Sequence, residues 1–135
     1  MNKFVLIMVL FVFNILLADL KNTYFNNNLM LDKDLIMIDI RTKSEIKENG
    51  KLEGSVNIPF FNEQGQYDIE YFLDQFYNTI DKKKKVAIIC RSGSRSAMVS
   101  KFLNNNFKDL HLINILGGTI FIEQFKIAKL IKEKK

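Results

Sequence analysis

Short apolar runs alternate along this chain with segments whose apolar residues recur every three or four positions. Runs of three to six residues bounded by polar or turn residues predict buried β-strands. Recurrence at three and four positions predicts helices that bury one face. The predicted strands lie at 35–40, 56–58, 86–89 and 110–115, and the predicted helices lie at 69–80, 95–105 and 119–132.

Two further segments have weaker patterns. Residues 42–48 suit one or two helical turns, with Thr42 or Ser44 as the cap. Residues 20–33 are rich in asparagine and predict an entry arm with at most a short turn or strand. Strands that alternate with helices at this spacing predict an α/β fold, a small doubly wound parallel sheet with helices on both faces. We assign 19–34 to the arm and 35–135 to the domain.

Composition allows one packed domain. The chain has 135 residues, of which 47% are hydrophobic, enough for a single core. Its formal net charge is +5, with lysines grouped at 82–85 and 132–135. Neither group carries interleaved aromatic residues or a nucleic-acid motif, so we interpret both as solvated surface and predict no nucleic-acid partner.

The first 18 residues resemble a secretory signal. Lys3 precedes an apolar run of 14 residues, Phe4 to Leu17, and Ala18 follows it. A membrane span needs about 20 apolar residues, and Asn14 interrupts this run. We predict cleavage near Ala18 and a periplasmic or secreted bacterial domain without membrane contact. An uncleaved N-terminal membrane anchor remains the alternative.

The segment after the third predicted strand carries the candidate chemistry. Its first residue, Cys90, is the only cysteine and lies where the strand ends. In open α/β sheets ligands bind at the carboxyl ends of strands. Glycine and serine allow a tight loop whose N–H groups point inward, and the following helix and two arginines add positive charge. Such a loop favours a thiolate on Cys90, or a persulfide formed on it. The loop residues are Arg91, Ser92, Gly93, Ser94, Arg95 and Ser96.

A single cysteine in an exported chain has no internal partner, which indicates a reactive thiol. Sulfur held on Cys90 must therefore pass to a second molecule. His111 is the only histidine, but it begins the last predicted strand, at the edge opposite Cys90, so we do not assign it as a general base. One cysteine and one histidine make no usual zinc site, and the glycines lack nucleotide-binding spacing, so no metal or cofactor is predicted.

The loop sequence Cys90-Arg91-Ser92-Gly93-Ser94-Arg95-Ser96 resembles the active-site loop of rhodanese-like sulfurtransferases. Other motifs of that family follow in register: Ile38-Asp39-Ile40-Arg41, Asn57-Ile58-Pro59 and Gly117-Gly118. The resemblance covers about residues 35 to 125 and implies that Asp39 and Arg41 brace the loop from behind. Lys51 and Ser55 replace the family's histidine and alanine, and Ile122 stands near its usual tryptophan.

The resemblance implies a thiosulfate sulfurtransferase. It would move sulfane sulfur from thiosulfate or a persulfide donor, through a Cys90 persulfide, to a thiol or cyanide. Arg91, with Arg95, would attract the anionic donor. One alternative is a carrier or binding module without turnover. Another is a phosphatase or arsenate reductase of related fold, but those separate cysteine and arginine by five residues, whereas four residues separate Cys90 from Arg95.

Overall fold

Strands and helices alternate through nearly the whole described part of the chain. The structure is a computed structural model that describes residues 20–132 and 134. Residues 1–18, to which the sequence assigns an export signal, lie outside this part. Its elements are β1 (Lys21–Tyr24), α1 (Asn27–Leu31), β2 (Leu35–Asp39), α2 (Lys43–Asn49), β3 (Val56–Asn57), α3 (Ile69–Thr79), β4 (Lys85–Ile89), α4 (Ser94–Asn106), β5 (His111–Leu116) and α5 (Gly118–Gln124).

The five strands form one parallel sheet in the order β1-β5-β4-β2-β3. Ile88 of β4 lies between Ile38 of β2 and Asn114 of β5. The predicted α/β fold with a parallel sheet is confirmed. Since the strands are parallel, the segments that follow them all lie at one edge of the sheet, the edge that positions the candidate site.

Apolar side chains cover both faces of the sheet. On one face, Ile38 and Ile88 pack with Phe72 and Phe76 of α3 and with α4. On the other face, residues such as Ile89 and Ile115 pack with Phe25, Leu52 and Ile122. Strand side chains alternate between faces, so a strand buried on both sides reads as a continuous apolar run. No helix within residues 20–132 has the length and apolar content needed to cross a bilayer.

The segment before β2 is more ordered than the sequence predicts. β1 pairs with β5 at the edge of the sheet, and Phe25 is buried. Helix α1 then begins at Asn26, whose side chain accepts the N–H of Asn28. Asparagine is a favoured N-cap, and here Asn26 caps a short helix. The asparagine-rich composition of the segment does not predict that helix.

The last helix is shorter than predicted. It ends at Gln124 instead of continuing to residue 132, and Lys126 has a φ of 51°. The chain then returns across the sheet, where Ile127 and Leu130 pack on its apolar face. Ile131 exchanges backbone hydrogen bonds of 3.0 and 2.7 Å with Lys51. Pairing of Ile131 with Lys51 therefore replaces the carboxyl-terminal part of the helix that the apolar spacing predicts.

Candidate active site

Cys90 immediately follows β4, at the carboxyl edge of the sheet. Its side chain is fully buried and belongs to the apolar cluster on the α3 and α4 face. The loop that follows ends at Gly93, which is the N-cap of α4 and has a φ of 97°. That left-handed conformation suits glycine, and a Cβ at this position would lie 2.9 Å from the Gly117 nitrogen.

Two backbone N–H groups point at the sulfur of Cys90. The Gly93 and Ser96 nitrogens donate to Sγ, at 3.1 and 3.3 Å. The Ser96 hydroxyl donates to the Gly93 carbonyl at 3.1 Å and fixes the turn. Two amides together with the start of α4 favour negative charge on the sulfur. The predicted loop therefore directs two of its backbone N–H groups at Cys90.

The remaining loop residues differ in exposure. Arg91, Ser92 and Ser94 face solvent. The hydroxyls of Ser92 and Ser94 lie 3.3 Å apart. Of the two loop arginines, Arg91 is the one at the surface, where it can meet an anionic donor.

Arg95 is bound to a carboxylate within the protein. Its guanidinium donates to both oxygens of Glu45 on α2, at 2.9 and 2.6 Å. Hydrogen bonding to Arg95 lowers the pKa of Glu45 from its ordinary 4.5 to about 2, and Glu45 raises the pKa of Arg95. The ion pair ties the start of α4 to α2. The sequence also assigns Arg95 to donor binding, and that role stays a prediction.

Glu45 is a site residue that the sequence analysis missed. Its carboxylate also accepts the backbone N–H of Thr42 at 2.8 Å, and Thr42 accepts the N–H of Glu45 in return. This reciprocal pair is a capping box, with the Thr-x-x-Glu spacing that the sequence displays. Thr42 is thus confirmed as the cap of α2. The spacing indicates the cap, but it does not indicate that the same carboxylate holds Arg95.

The Asp39 and Arg41 side chains form a buried ion pair, each 1% exposed. The Arg41 guanidinium donates to both Asp39 oxygens and to the Gly50 carbonyl at 2.8 Å. The Asn57 amide donates to the carbonyls of Asp39 and Arg41. The pair thus fixes both ends of α2 relative to β2 and β3. Through α2, which carries Glu45, the pair is linked to Arg95 of the loop. That the pair braces the loop from behind stays a prediction.

The paired glycines support the other side of the loop. The Thr119 and Ile120 nitrogens each donate, at 3.0 Å, to the carbonyls of Cys90 and Arg91. A Cβ on Gly118 would lie 2.3 Å from the Arg91 oxygen, a distance that no side chain tolerates. The start of α5 therefore rests on the backbone of the loop, and only glycine permits the contact.

The departures from the family pattern lie away from the sulfur. Ile122 is fully buried in the cluster on the opposite face from Cys90. The Lys51 ammonium donates to the Ser55 carbonyl, and the Ser55 hydroxyl donates to the Leu52 carbonyl. His111 is exposed and lies opposite Lys85 in the β4–β5 register, at the amino edge of the sheet. It therefore does not approach Cys90.

These contacts centre on the sulfur of Cys90. Cys90 carries the thiol, two amides and a helix start favour its anion, and Arg91 adds positive charge at the surface. The arrangement suits chemistry in which the Cys90 sulfur acts as the nucleophile.

The sequence matches a known protein family. A family model described as "Rhodanese-like domain" matches residues 22–118. The chain is 31% identical over 87 residues to "Putative sulfurtransferase YtwF" of Bacillus subtilis, an overlap of 64% of this chain and 72% of that protein.

Solved structures show the same fold. A rhodanese-related protein from Thermoplasma volcanium matches with a TM-score of 0.58 and 25% identity, over 75% of this chain and 87% of that one. A rhodanese-like domain protein from Staphylococcus aureus matches with a TM-score of 0.57 and 23% identity, over 80% of this chain and 90% of that one. With its loop, its paired glycines and more than half of its length matched, the chain belongs to the rhodanese-like domain family.

Proposed function

We propose that the protein is a sulfurtransferase that carries sulfane sulfur on Cys90. The observation that carries the proposal is the pair of N–H groups directed at Sγ from Gly93 and Ser96. The relative described as a putative sulfurtransferase, at 31% identity, supports the same activity. Thiosulfate or a persulfide is the donor, and a thiol or cyanide is the acceptor.

In the first step, the Cys90 thiolate attacks the outer sulfur of thiosulfate. The new sulfur–sulfur bond forms as the one within thiosulfate breaks, and sulfite leaves with the electron pair. Cys90 is then a persulfide, and its negative charge is stabilised by the amides of the loop. Arg91, exposed at the surface, attracts the anionic donor.

In the second step, an acceptor attacks the outer sulfur of the persulfide. The persulfide bond breaks, and its electron pair remains on Cys90 as the thiolate. Cyanide leaves as thiocyanate, and a thiol leaves as a hydropersulfide. The single cysteine requires this external acceptor, since no second thiol in the chain can resolve the persulfide.

The burial of Cys90 makes the reaction selective for small donors. Its side chain is fully covered, so a donor reaches the sulfur only when the loop opens locally. Arg91, Ser92 and Ser94 are the exposed part of that loop. The test divides each reagent's rate with Cys90 by its rate with a free small thiol. We expect this ratio to be higher for thiosulfate than for a bulky alkylating reagent.

Mass spectrometry after incubation with thiosulfate tests the first step. The expected result is the added mass of one sulfur atom on the peptide that contains Cys90, and its absence from Cys90→Ser. Sulfite release with cyanide as acceptor measures turnover. An unmodified Cys90, or turnover that survives in Cys90→Ser, would reject the mechanism.

The same assays separate the other functions. Stoichiometric loading without turnover would identify a carrier module. Hydrolysis of a phosphate monoester faster than sulfur transfer would identify a phosphatase. The loop has one residue fewer between Cys90 and Arg95 than the phosphatase pattern requires, and Arg95 is already bound to Glu45. Both observations favour sulfur transfer.

The proposal also places the mature protein in the periplasm or outside the cell, after cleavage near Ala18. Its support is the sequence of residues 1–18 alone. Amino-terminal sequencing of the protein after expression in a bacterial host tests the location. A mature chain beginning near Asp19 is expected, whereas an intact amino terminus in the membrane fraction would indicate the uncleaved anchor.

A further inference from the structure

A cavity of about 500 Å³ lies beside the candidate active site. Three segments enclose it: the start of α2, the chain that follows β3, and the entry to α3. We call it the aromatic cavity, because four of its lining residues carry rings. These are Phe60, Phe61, Tyr67 and Tyr71. The cavity's volume lies within the range of small-molecule binding sites, about 300–1,000 Å³.

Three of the four rings of the aromatic cavity, those of Phe60, Phe61 and Tyr67, are held in place by one another. Phe60 and Tyr67 stack with their centroids 5.6 Å apart, and Phe61 meets Tyr67 edge-on at 5.9 Å. The Asn62 side chain accepts the N–H groups of Gln64 and Gln66, which fixes the turn that carries Tyr67. Even so, Tyr67 and Tyr71 are 61% and 65% exposed. Exposed rings in a fixed arrangement offer flat apolar surfaces to another ring.

Backbone hydrogen bonds connect Phe60, which lines the aromatic cavity, to the strand that ends at Cys90. The Ile40 nitrogen donates to the Ile89 carbonyl, and the Phe60 nitrogen donates to the Ile40 carbonyl. These bonds place the backbone of Phe60 two inter-strand spacings from the end of β4, a separation of about 10 Å. Phe60 and Cys90 also belong to the same apolar cluster, on the same face of the sheet. A ring bound against Phe60, with a side arm of two or more carbons, would carry a thiol towards Cys90.

We infer that the aromatic cavity binds the ring of an aromatic thiol that accepts sulfur from Cys90, an inference that rests on the proposed function. The acceptor's sulfur bonds to the outer sulfur of the Cys90 persulfide, and the persulfide bond breaks with its electron pair left on Cys90. The thiol proton stays with the product, an aromatic hydropersulfide. No oxidant or reductant is needed.

The charged groups around the aromatic cavity favour an uncharged ring. Glu63 is hydrogen-bonded to the backbone and side chain of Ser44, and Asp68 caps α3 by accepting the Tyr71 N–H. Lys43 adds one positive charge against these two carboxylates. With the carboxylates already occupied and the charges nearly balanced, binding depends on the apolar rings.

The test compares two acceptors that differ by a ring, 2-phenylethanethiol and 2-mercaptoethanol, with saturating thiosulfate as donor. Sulfite release gives kcat/KM for each acceptor. We expect about a tenfold preference for 2-phenylethanethiol, from burial of its ring. Tyr67→Ala and Tyr71→Ala should each lower kcat/KM for that acceptor by about threefold to tenfold, through lost ring contacts. Their rates with 2-mercaptoethanol and cyanide should stay unchanged.

Tyr24→Ala is the matched control. Tyr24 is also an exposed tyrosine, 53% exposed, at the carboxyl end of β1, on the other side of the Cys90 strand from the aromatic cavity. Its replacement should leave kcat/KM unchanged for all three acceptors, 2-phenylethanethiol, 2-mercaptoethanol and cyanide. Turnover with cyanide but no preference for the ring overturns the inference. So does a preference that survives in Tyr67→Ala and Tyr71→Ala.

A binding measurement keeps the two proposals distinguishable. If no acceptor gives turnover, the proposed function fails, and NMR with the unreactive probe 2-phenylethanol decides whether the cavity binds a ring. Shifts of the Tyr67 and Tyr71 ring resonances that saturate with the probe, and that are absent from Tyr24, would support ring binding at this place. Unshifted resonances would overturn it.

Discussion

At the residue scale, two ion pairs hold the site in different ways. Glu45 and Arg95 are partly exposed and join α2 to the start of α4. Asp39 and Arg41 are buried and fix the ends of α2. Removing one partner of a buried pair leaves an uncompensated charge, whereas a partly exposed pair can replace its lost partner with water. The two pairs therefore predict different consequences.

Glu45→Gln should reduce sulfur transfer to cyanide severalfold and lower stability by about 1.5 kcal/mol, because it removes a charge-assisted hydrogen bond. Its effect on pH dependence is more specific. The folded state lowers the pKa of Glu45 from 4.5 to about 2. The carboxylate thus contributes stability that is fully present above pH 4.5 and is lost as the pH falls towards 2.

Chemical denaturation at several pH values checks this prediction. Wild-type stability should decline between pH 4.5 and 2 more steeply than that of Glu45→Gln. Glu48→Gln is the control, on the same helix, where the carboxylate makes no hydrogen bond with any residue in the described ranges. Equal slopes for Glu45→Gln and the wild type would contradict the assignment.

Asp39→Asn should lower the free energy of unfolding by about 3–5 kcal/mol, because it leaves the buried Arg41 guanidinium without its countercharge. Asp109→Asn breaks the pair with Lys82, whose side chains are each more than half exposed, and should cost far less stability, because solvent screens that pair. Urea denaturation measures both. Similar losses of unfolding free energy in the two variants would show that burial does not make the Asp39–Arg41 pair more important for stability than an exposed pair.

At the element scale, the loop is enclosed between two helix starts. The start of α4 supplies the amides that face Sγ, and the start of α5 donates to the loop carbonyls. The α4 contact is local in sequence, within six residues of Cys90, whereas the α5 contact is not, since α5 begins 28 residues after Cys90. Close approach of the two backbones sets the shape of the loop, and glycine makes that approach possible.

Gly118→Ala should destabilise the protein by about 3 kcal/mol and greatly reduce sulfur transfer, because its Cβ would collide with the Arg91 oxygen. Gly65→Ala is a matched control. Gly65 also has a positive φ, 75°, but nothing lies within 4 Å of an added Cβ. It should cost only the conformational penalty of about 1 kcal/mol and leave cyanide turnover intact.

Thermal unfolding and the cyanide assay together check this pair of variants. If both alanines cost the same stability, the positive φ and not the contact with Arg91 accounts for the effect. If Gly118→Ala keeps full turnover, the start of α5 does not shape the loop.

At the scale of the whole molecule, a group of lysines lies at the amino edge of the sheet. Lys82 to Lys84 precede β4, Lys85 begins it, Lys108 precedes β5, and Lys33 precedes β2. Cys90 lies at the opposite edge, about 17 Å away along the five residues of β4. Charges at that distance are largely screened at physiological ionic strength, where the Debye length is about 8 Å.

Charge reversal at Lys83 and Lys108 should therefore leave thiosulfate turnover unchanged at physiological salt. Both side chains are exposed, and replacing them with glutamate lowers the formal net charge of +5 by four. The prediction treats the lysine groups as solvated surface. A kcat/KM for thiosulfate that falls more than about twofold would show that they steer the donor.

The sequence alone determined the parts of the protein that depend on local pattern. Apolar runs located four strands of the sheet, since a strand buried on both faces must be apolar throughout. The alternation with helices determined the parallel fold, and the loop after β4 identified Cys90. The capping residue of α2 was also readable, because capping is decided within one turn of chain.

Only the tertiary structure decided what lies far apart in sequence. It added β1 to the sheet, ended the last helix at Gln124, and joined Glu45 to Arg95 across 50 residues. It also gathered the rings of the aromatic cavity and set Gly118 against the loop. Such contacts depend on which surfaces meet when the core packs. Local periodicity carries no information about which surfaces come into contact, so the partners of each site residue become known only from the fold.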